Sequence, residues 1–326
     1  MHRALIAGIL VSLFALPLFA GKSSYQYFAV GNQNDVVTTT TAGTVLMGGG
    51  SDVDAAFQWM IGKSGGGDFV VIRTTGTDAY NPYIYGLGTV NSVETLIIPS
   101  RTAAADPFVV AKIRNAEALW IAGGDQSTYT SNWKGTPVAD AINYVANTKR
   151  APVGGTSAGL AVLGQFIYTG AAGSVTSSQA LANPYNRYVT LDRDFVQIAH
   201  LGGVITDSHF GSRDRLGRLV TFLARIIKDG WASSARAIGV DEATAILVEP
   251  TGAATRVGSG AAYFISSAGV PQVCVSGSPL TYTALPVYKV SGAATFNLST
   301  WTGSGGTSYT VSANAGALSS SNGSIY

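Results

Sequence analysis

Apolar residues come in short continuous blocks over the first two thirds of the chain. Residues 43–47, 69–72, 95–98 and 118–122 are runs of this kind, the pattern of strands buried on both faces of a parallel sheet. Helical stretches separate them. They cover 52–61, then 107–114 with Asp106 as N-cap and Pro107 at the first helical position, then 136–147. A short strand ending at Val153 leads into a helix over 158–168. This rhythm predicts an α/β sheet with helices on both faces. Residues 170–195 are mostly polar and read as a long loop turning at Asn183-Pro184. A strand at 204–205 precedes a strongly amphipathic helix over 213–228, and 237–240 and 244–248 read as paired strands. Beyond about residue 250, short alternating strands rich in Gly, Ser and Thr predict an all-β decoration of the sheet edge.

The N-terminus changes the picture. Met1-His2-Arg3, an apolar run from Ala4 to Phe19 and the small residue Ala20 have the three parts of a secretory signal peptide. The run contains Pro17 and is shorter than the roughly 20 residues a spanning helix needs. The expected division is a signal peptide over 1–20, an α/β domain over 21–250 and a β-rich extension over 251–326. The expected location is secreted, with no membrane partner after cleavage. The chain has 326 residues, 46% of them hydrophobic and only 12% charged, which excludes a disordered protein. The net charge of +2 comes with no broad basic face, which argues against a nucleic-acid partner. The single cysteine, Cys274, lies in Val273-Cys274-Val275 and reads as a buried small hydrophobe. Two sequons, at Asn297 and Asn322, lie near the C-terminal end.

The chemistry centres on Gly155-Thr156-Ser157-Ala158-Gly159, a Gly-x-Ser-x-Gly turn between a strand and a helix. Small flanking residues permit a sharp turn that lifts the serine hydroxyl above the sheet edge. The helix N-terminus there favours a developing anion. Such a serine needs a base. Besides His2, the candidates are His200 and His209, and His209 stands just past the 204–205 strand, where open α/β sheets keep their sites. Gly123-Gly124 ends another strand, so the N–H of Gly124 or its neighbour, with that of Ala158, is the candidate oxyanion hole. Arg213, Arg215 and Arg218 follow His209, with Arg215 and Arg218 on one helical face, and read as carboxylate clamps or as a solvated basic face. Two mature histidines and one cysteine make no metal-ligand set, and Gly48-Gly49-Gly50 lacks the Lys-Ser/Thr of a phosphate loop. Neither a metal nor a cofactor is expected. Asp52 and Asp54 read as acids stabilising a helix N-terminus.

Four segments in order resemble the serine peptidase family of aspartyl dipeptidase E and cyanophycinase. They are Gly123-Gly124-Asp125-Gln126, the Gly154–Gly159 turn, Asp207-Ser208-His209-Phe210 with the arginines after it, and Gly239-Val240-Asp241-Glu242. The resemblance covers about residues 43–250. It implies a flavodoxin-like or class I glutamine-amidotransferase-like sandwich with a mostly parallel sheet. It also implies Ser157 as nucleophile, His209 as base, and Gln126, Asp207, Arg213, Arg215 and Arg218 around a small aspartyl-containing peptide or isopeptide. A homodimer is the assembly to test. Where cyanophycinases carry Gln beside the base, this chain has Ser208. The family's third triad member is an acid between the serine and the histidine, and none occurs from Ser157 to Leu191. Gln179 is the expected neutral orienter of the imidazole, with Asn183, Asp192 and Asp194 as alternatives. The alternative function is a weak or inactive homologue acting as a binding protein. An esterase or amidase of another class fits less well, because the histidine follows the serine too closely.

Overall fold

The computed structural model describes residues 24–326, so the expected signal peptide over 1–20 lies outside the described residues. Strands and helices alternate as the apolar blocks predict. In chain order they are β1 (Gln26–Gly31), β2 (Gly43–Met47), α1 (Asp54–Lys63), β3 (Asp68–Arg73), α2 (Tyr80–Tyr85), β4 (Ser92–Ile97), α3 (Pro107–Asn115), β5 (Ala118–Ile121), α4 (Gln126–Trp133), α5 (Pro137–Tyr144), β6 (Pro152–Thr156), α6 (Ala158–Ala161) and β7 (Phe166–Tyr168). Then come α7 (Ser177–Ala182), β8 (Leu191–Arg193), β9 (Val204–Asp207), α8 (Leu216–Lys228), β10 (Arg236–Val240), β11 (Thr244–Val248), β12 (Ala253–Gly258) and β13 (Ala262–Ser266). The last are β14 (Tyr282–Val290), β15 (Thr295–Asn297), β16 (Thr302–Ser304), β17 (Thr307–Asn314) and β18 (Ala317–Ser320).

The strands form two sheets. One has ten strands in the order β1-β4-β3-β5-β6-β2-β11-β12-β15-β16, and the other eight in the order β18-β17-β14-β13-β10-β9-β7-β8. Parallel pairing is confined to β4-β3-β5-β6-β2 in the first and β7-β9-β10 in the second. The flanks are antiparallel: β1 on β4, β8 on β7, β11 on β2, and the strands after residue 250, whose Gly- and Ser-rich chain turns back on itself. This corrects the expectation of one mostly parallel sheet with a decorated edge: the late strands extend both sheets.

The apolar blocks are continuous because both faces of the first sheet are covered. Val45, Met47, Phe69, Val71 and Trp120 pack with Phe57 and Met60 of α1, while Leu46, Val70, Ile72, Leu119 and Ile121 pack on the other side with Val109, Ile113 and Ile142. The Asp106 cap forms as expected, its side chain accepting the Phe108 N–H. Helix α8 buries Leu219, Val220, Phe222, Leu223 and Ile226 against the second sheet.

Three local expectations are corrected. The helix expected over 158–168 ends at Ala161, and Phe166-Ile167-Tyr168, aromatic and β-branched, joins the second sheet as β7. The expected loop over 170–195 contains α7 and β8, and α7 opens with a capping box between Thr176 and Gln179. The strands β10 and β11 do not pair: β10 lies between β9 and β13, and β11 between β2 and β12.

Candidate active site

Ser157 sits between β6 and α6 with φ 53° and ψ −112°, a backbone that a non-glycine residue rarely holds and that marks a strained functional turn. It makes no side-chain cap to α6. Its Oγ instead lies 2.8 Å from Nε2 of His209. His209 also has positive φ, 47°, at the turn leaving β9. Its Nδ1 lies 2.5 Å from Oε1 of Glu242, two residues beyond the end of β10. The serine therefore comes from the ten-stranded sheet, and the histidine and the acid from the eight-stranded one.

The end of β2 joins them. The Met47 carbonyl accepts the Ser157 N–H at 3.2 Å, and the Gly48 carbonyl accepts the His209 N–H at 2.7 Å. Gly49 runs directly under the pair. With φ +90°, it leaves no room for a side chain: a Cβ there would lie 2.5 Å from His209 Cε1 and 3.1 Å from Ser157 Cβ. The glycine run that fails as a phosphate loop is the floor of the Ser–His contact.

His209 is buried and Glu242 half-exposed. Burial lowers the His209 pKa, and Arg213 and Arg215 lower it further, against the upward pull of Glu242. The hydrogen bond from His209, above all, lowers the Glu242 pKa. A depressed imidazole beside a depressed carboxylate is not a fixed ion pair. It fits a neutral ring that donates Nδ1–H to an ionised Glu242 and turns the Nε2 lone pair to the Ser157 hydroxyl. That tautomer is the one a general base requires. The arrangement can move a proton from Oγ to Nε2 as Oγ attacks a carbonyl carbon.

Gln179 is not the orienter. Its side chain accepts the Thr176 N–H at 3.0 Å to cap α7, and it is consumed there. The alternatives are also engaged: Asn183 with the N–H groups of Tyr185 and Gly277, Asp192 with Lys134, and Asp194 with Gln165. Glu242 was missed because the acid was sought between Ser157 and His209. Its signal was an acid just past a strand end, the rule that singled out His209.

The expected substrate pocket also changes. Arg218 is buried and makes a two-pronged contact with Asp207, at 2.8 and 2.6 Å. Arg215 contacts Asp207 and the Ser208 carbonyl. Asp207 and Arg218 are therefore structural partners tying β9 to α8, with no face free for substrate, and Arg215 is committed to the same tie. Arg213 alone of the three is exposed, its Nε 3.8 Å from Glu242. Gln126 opens α4 beside the Gly170 loop. Ala158 opens α6, where first-turn N–H groups lack intrahelical acceptors. Of the two glycines ending β5, Gly123 borders Ser157, while Gly124 faces the Tyr129 hydroxyl. Asp54 lies in the first turn of α1 as expected. Tyr80 and Tyr83 donate to Asp52 and Asp54, and with Arg73 these residues line a cavity of about 470 Å³. Burial pushes the Cys274 thiol up to about 11, which leaves it protonated and inert. Among the described residues no three of His, Cys, Asp and Glu gather as a metal-ligand set, and no helix is long and apolar enough to cross a membrane.

The architecture is a mixed α/β fold built on two sheets. It matches the crystal structure of a peptidase from an acI-B1 actinobacterium with a TM-score of 0.52, over 79% of this chain and 98% of that one, at 18% identity. In sequence the chain is 26% identical over 216 residues to the cyanophycinase of Synechococcus elongatus, and 26% identical over 211 residues to that of a Nostoc species. These matches cover 65% and 63% of this chain, and it spans only 62% and 65% of those relatives' lengths. No family model matches the chain. In sequence it is thus similar to the cyanophycinases, and in fold to that peptidase.

Proposed function

We propose that the chain is an exported serine peptidase that cleaves peptide or isopeptide bonds beside an aspartyl residue. The observation that carries this reading is the continuous contact Ser157–His209–Glu242, built on a serine with strained backbone. Nε2 takes the Ser157 proton as Oγ bonds to the scissile carbonyl carbon. The N–H groups of Ala158 and the Gly123-Gly124 turn support the oxyanion. The tetrahedral species collapses to an acyl-enzyme, and the departing amine takes the proton from Nε2. Water then attacks, with His209 as base, and releases the carboxylic acid and free Ser157. Glu242 holds the imidazole in place and stabilises its charged form. Arg213, exposed beside the triad and 3.8 Å from Glu242, is the cation placed to meet a substrate carboxylate, which supports the aspartyl preference. The apolar run over residues 4–19 supports export.

A binding-only role has two grounds, the lack of an acid between Ser157 and His209 and the extended β tail; Glu242 beside His209 speaks against the first. The test is a fluorophosphonate probe and a panel of aspartyl dipeptides and isopeptides. Wild type should be labelled at Ser157 and turn over, and Ser157→Ala should do neither. Hydrolysis that survives in Ser157→Ala would sink the proposal.

A further inference from the structure

Residues 251–326 supply no member of the triad, yet one of them reaches the turn that carries the base. The ring of Tyr326 meets Phe210 edge-on at 5.8 Å and Tyr263 at 5.9 Å. Its hydroxyl donates to Oδ1 of Asp214 at 2.9 Å and accepts the Leu216 N–H at 3.0 Å. Tyr309 fastens the same segment by donating to the Ile325 carbonyl at 3.2 Å.

The turn they grip is costly to hold. Between His209 and the start of α8, both His209 and Asp214 are non-glycine residues with positive φ, 47° and 46°. Such backbone persists only where its surroundings over-determine it. Arg215, at the N-cap of α8, makes no side-chain cap, being committed to Asp207 and Ser208. The Tyr326 hydroxyl satisfies the first N–H of α8 in its place. From the other side, Ser177 donates to the Asp214 carbonyl. Phe210, directly after the base, is buried, and its ring packs between those of Tyr263 and Tyr326.

We infer that Tyr326 is a positioning residue for His209. It clamps the His209–Leu216 turn and so keeps the imidazole between Ser157 and Glu242. This makes the β-rich extension part of the catalytic apparatus, and it rests on the triad reading above.

Tyr326→Phe in the full chain tests it, since it removes the hydroxyl and keeps the ring. The turnover number on aspartyl dipeptides should fall about threefold to tenfold, the range one net hydrogen bond spans. KM should stay within about twofold, because the substituted group touches no substrate. The His209 Nδ1 proton, held by Glu242, should give a downfield proton NMR signal that shifts or broadens in the variant. That signal needs no turnover. A wild type that neither labels nor hydrolyses overturns the peptidase reading, whereas an unchanged Nδ1 signal in Tyr326→Phe overturns this one. Tyr326→Ala should lose more activity, and where it fails to fold, Tyr326→Phe decides. A Tyr326→Phe loss that tracks only its fall in melting temperature also overturns the inference.

Discussion

Replacing Gly49 with alanine puts a methyl carbon where the imidazole of His209 lies. That carbon would stand 2.5 Å from Cε1, 2.6 Å from Nε2 and 3.1 Å from the Cβ of Ser157. Carbon atoms rest at about 3.5 Å or more, so the ring must withdraw by roughly 1 Å. Misplacement of that size costs about 100-fold in rate. The φ of +90° adds a separate cost of roughly 1–2 kcal/mol to folding. Gly62→Ala is the control. It lies in the last turn of α1 with nothing within 4 Å of the added carbon. It should keep the wild-type rate and gain about 0.5–1 kcal/mol of stability. The assay is the second-order rate of fluorophosphonate labelling, with thermal melts of each variant. A Gly49→Ala protein that melts lower but labels at the wild-type rate would show that the ring needs no such floor, and the reasoning would fail.

Glu242→Gln removes the charge that stabilises the imidazolium. Because Glu242 is half-exposed and water can partly stand in for it, the loss should lie toward the lower end of about 10²–10⁴-fold in the turnover number; a loss under threefold would deny it the orienting role. The depressed pKa of His209 keeps the base unprotonated below the ordinary imidazole range, so the acid limb of the labelling rate should lie below that range. Arg213→Ala removes one of the charges that depress it, so the limb should move up toward the ordinary value; a downward move counts against the electrostatic account. Arg218→Met removes the two-pronged partner of buried Asp207 and leaves it Arg215 and the Ser208 N–H, so it should cost about 3 kcal/mol in urea unfolding; a near-neutral result would mean that Arg215 alone satisfies Asp207.

The parallel cores of both sheets were legible because strands covered on both faces write themselves as unbroken apolar runs. Ser157 and His209 were legible for a related reason: each follows such a run at its carboxyl end. Glu242 also follows such a run, but its partnership with His209 was not legible, since only the parallel pairing of β9 with β10 brings the two together and no local pattern encodes which strands become neighbours. Gln179 was misread although Thr176 and Gln179 carry the spacing of a capping box, a local signal that outranked a distant catalytic role. For Arg215 and Arg218 the shared face was right and its surroundings were not. A charge aimed at a buried Asp207 looks, residue by residue, like one aimed at solvent. The strands β10 and β11 are close in sequence and lie in different sheets, because β2 and β9 compete for them.

Nucleophile and base stand on opposite sides of a seam between two sheets that share one buried core. Turnover is therefore a gauge of how well that core holds the seam shut. An inhibitor that grips both banks should act as a rivet and raise the temperature at which the whole chain melts.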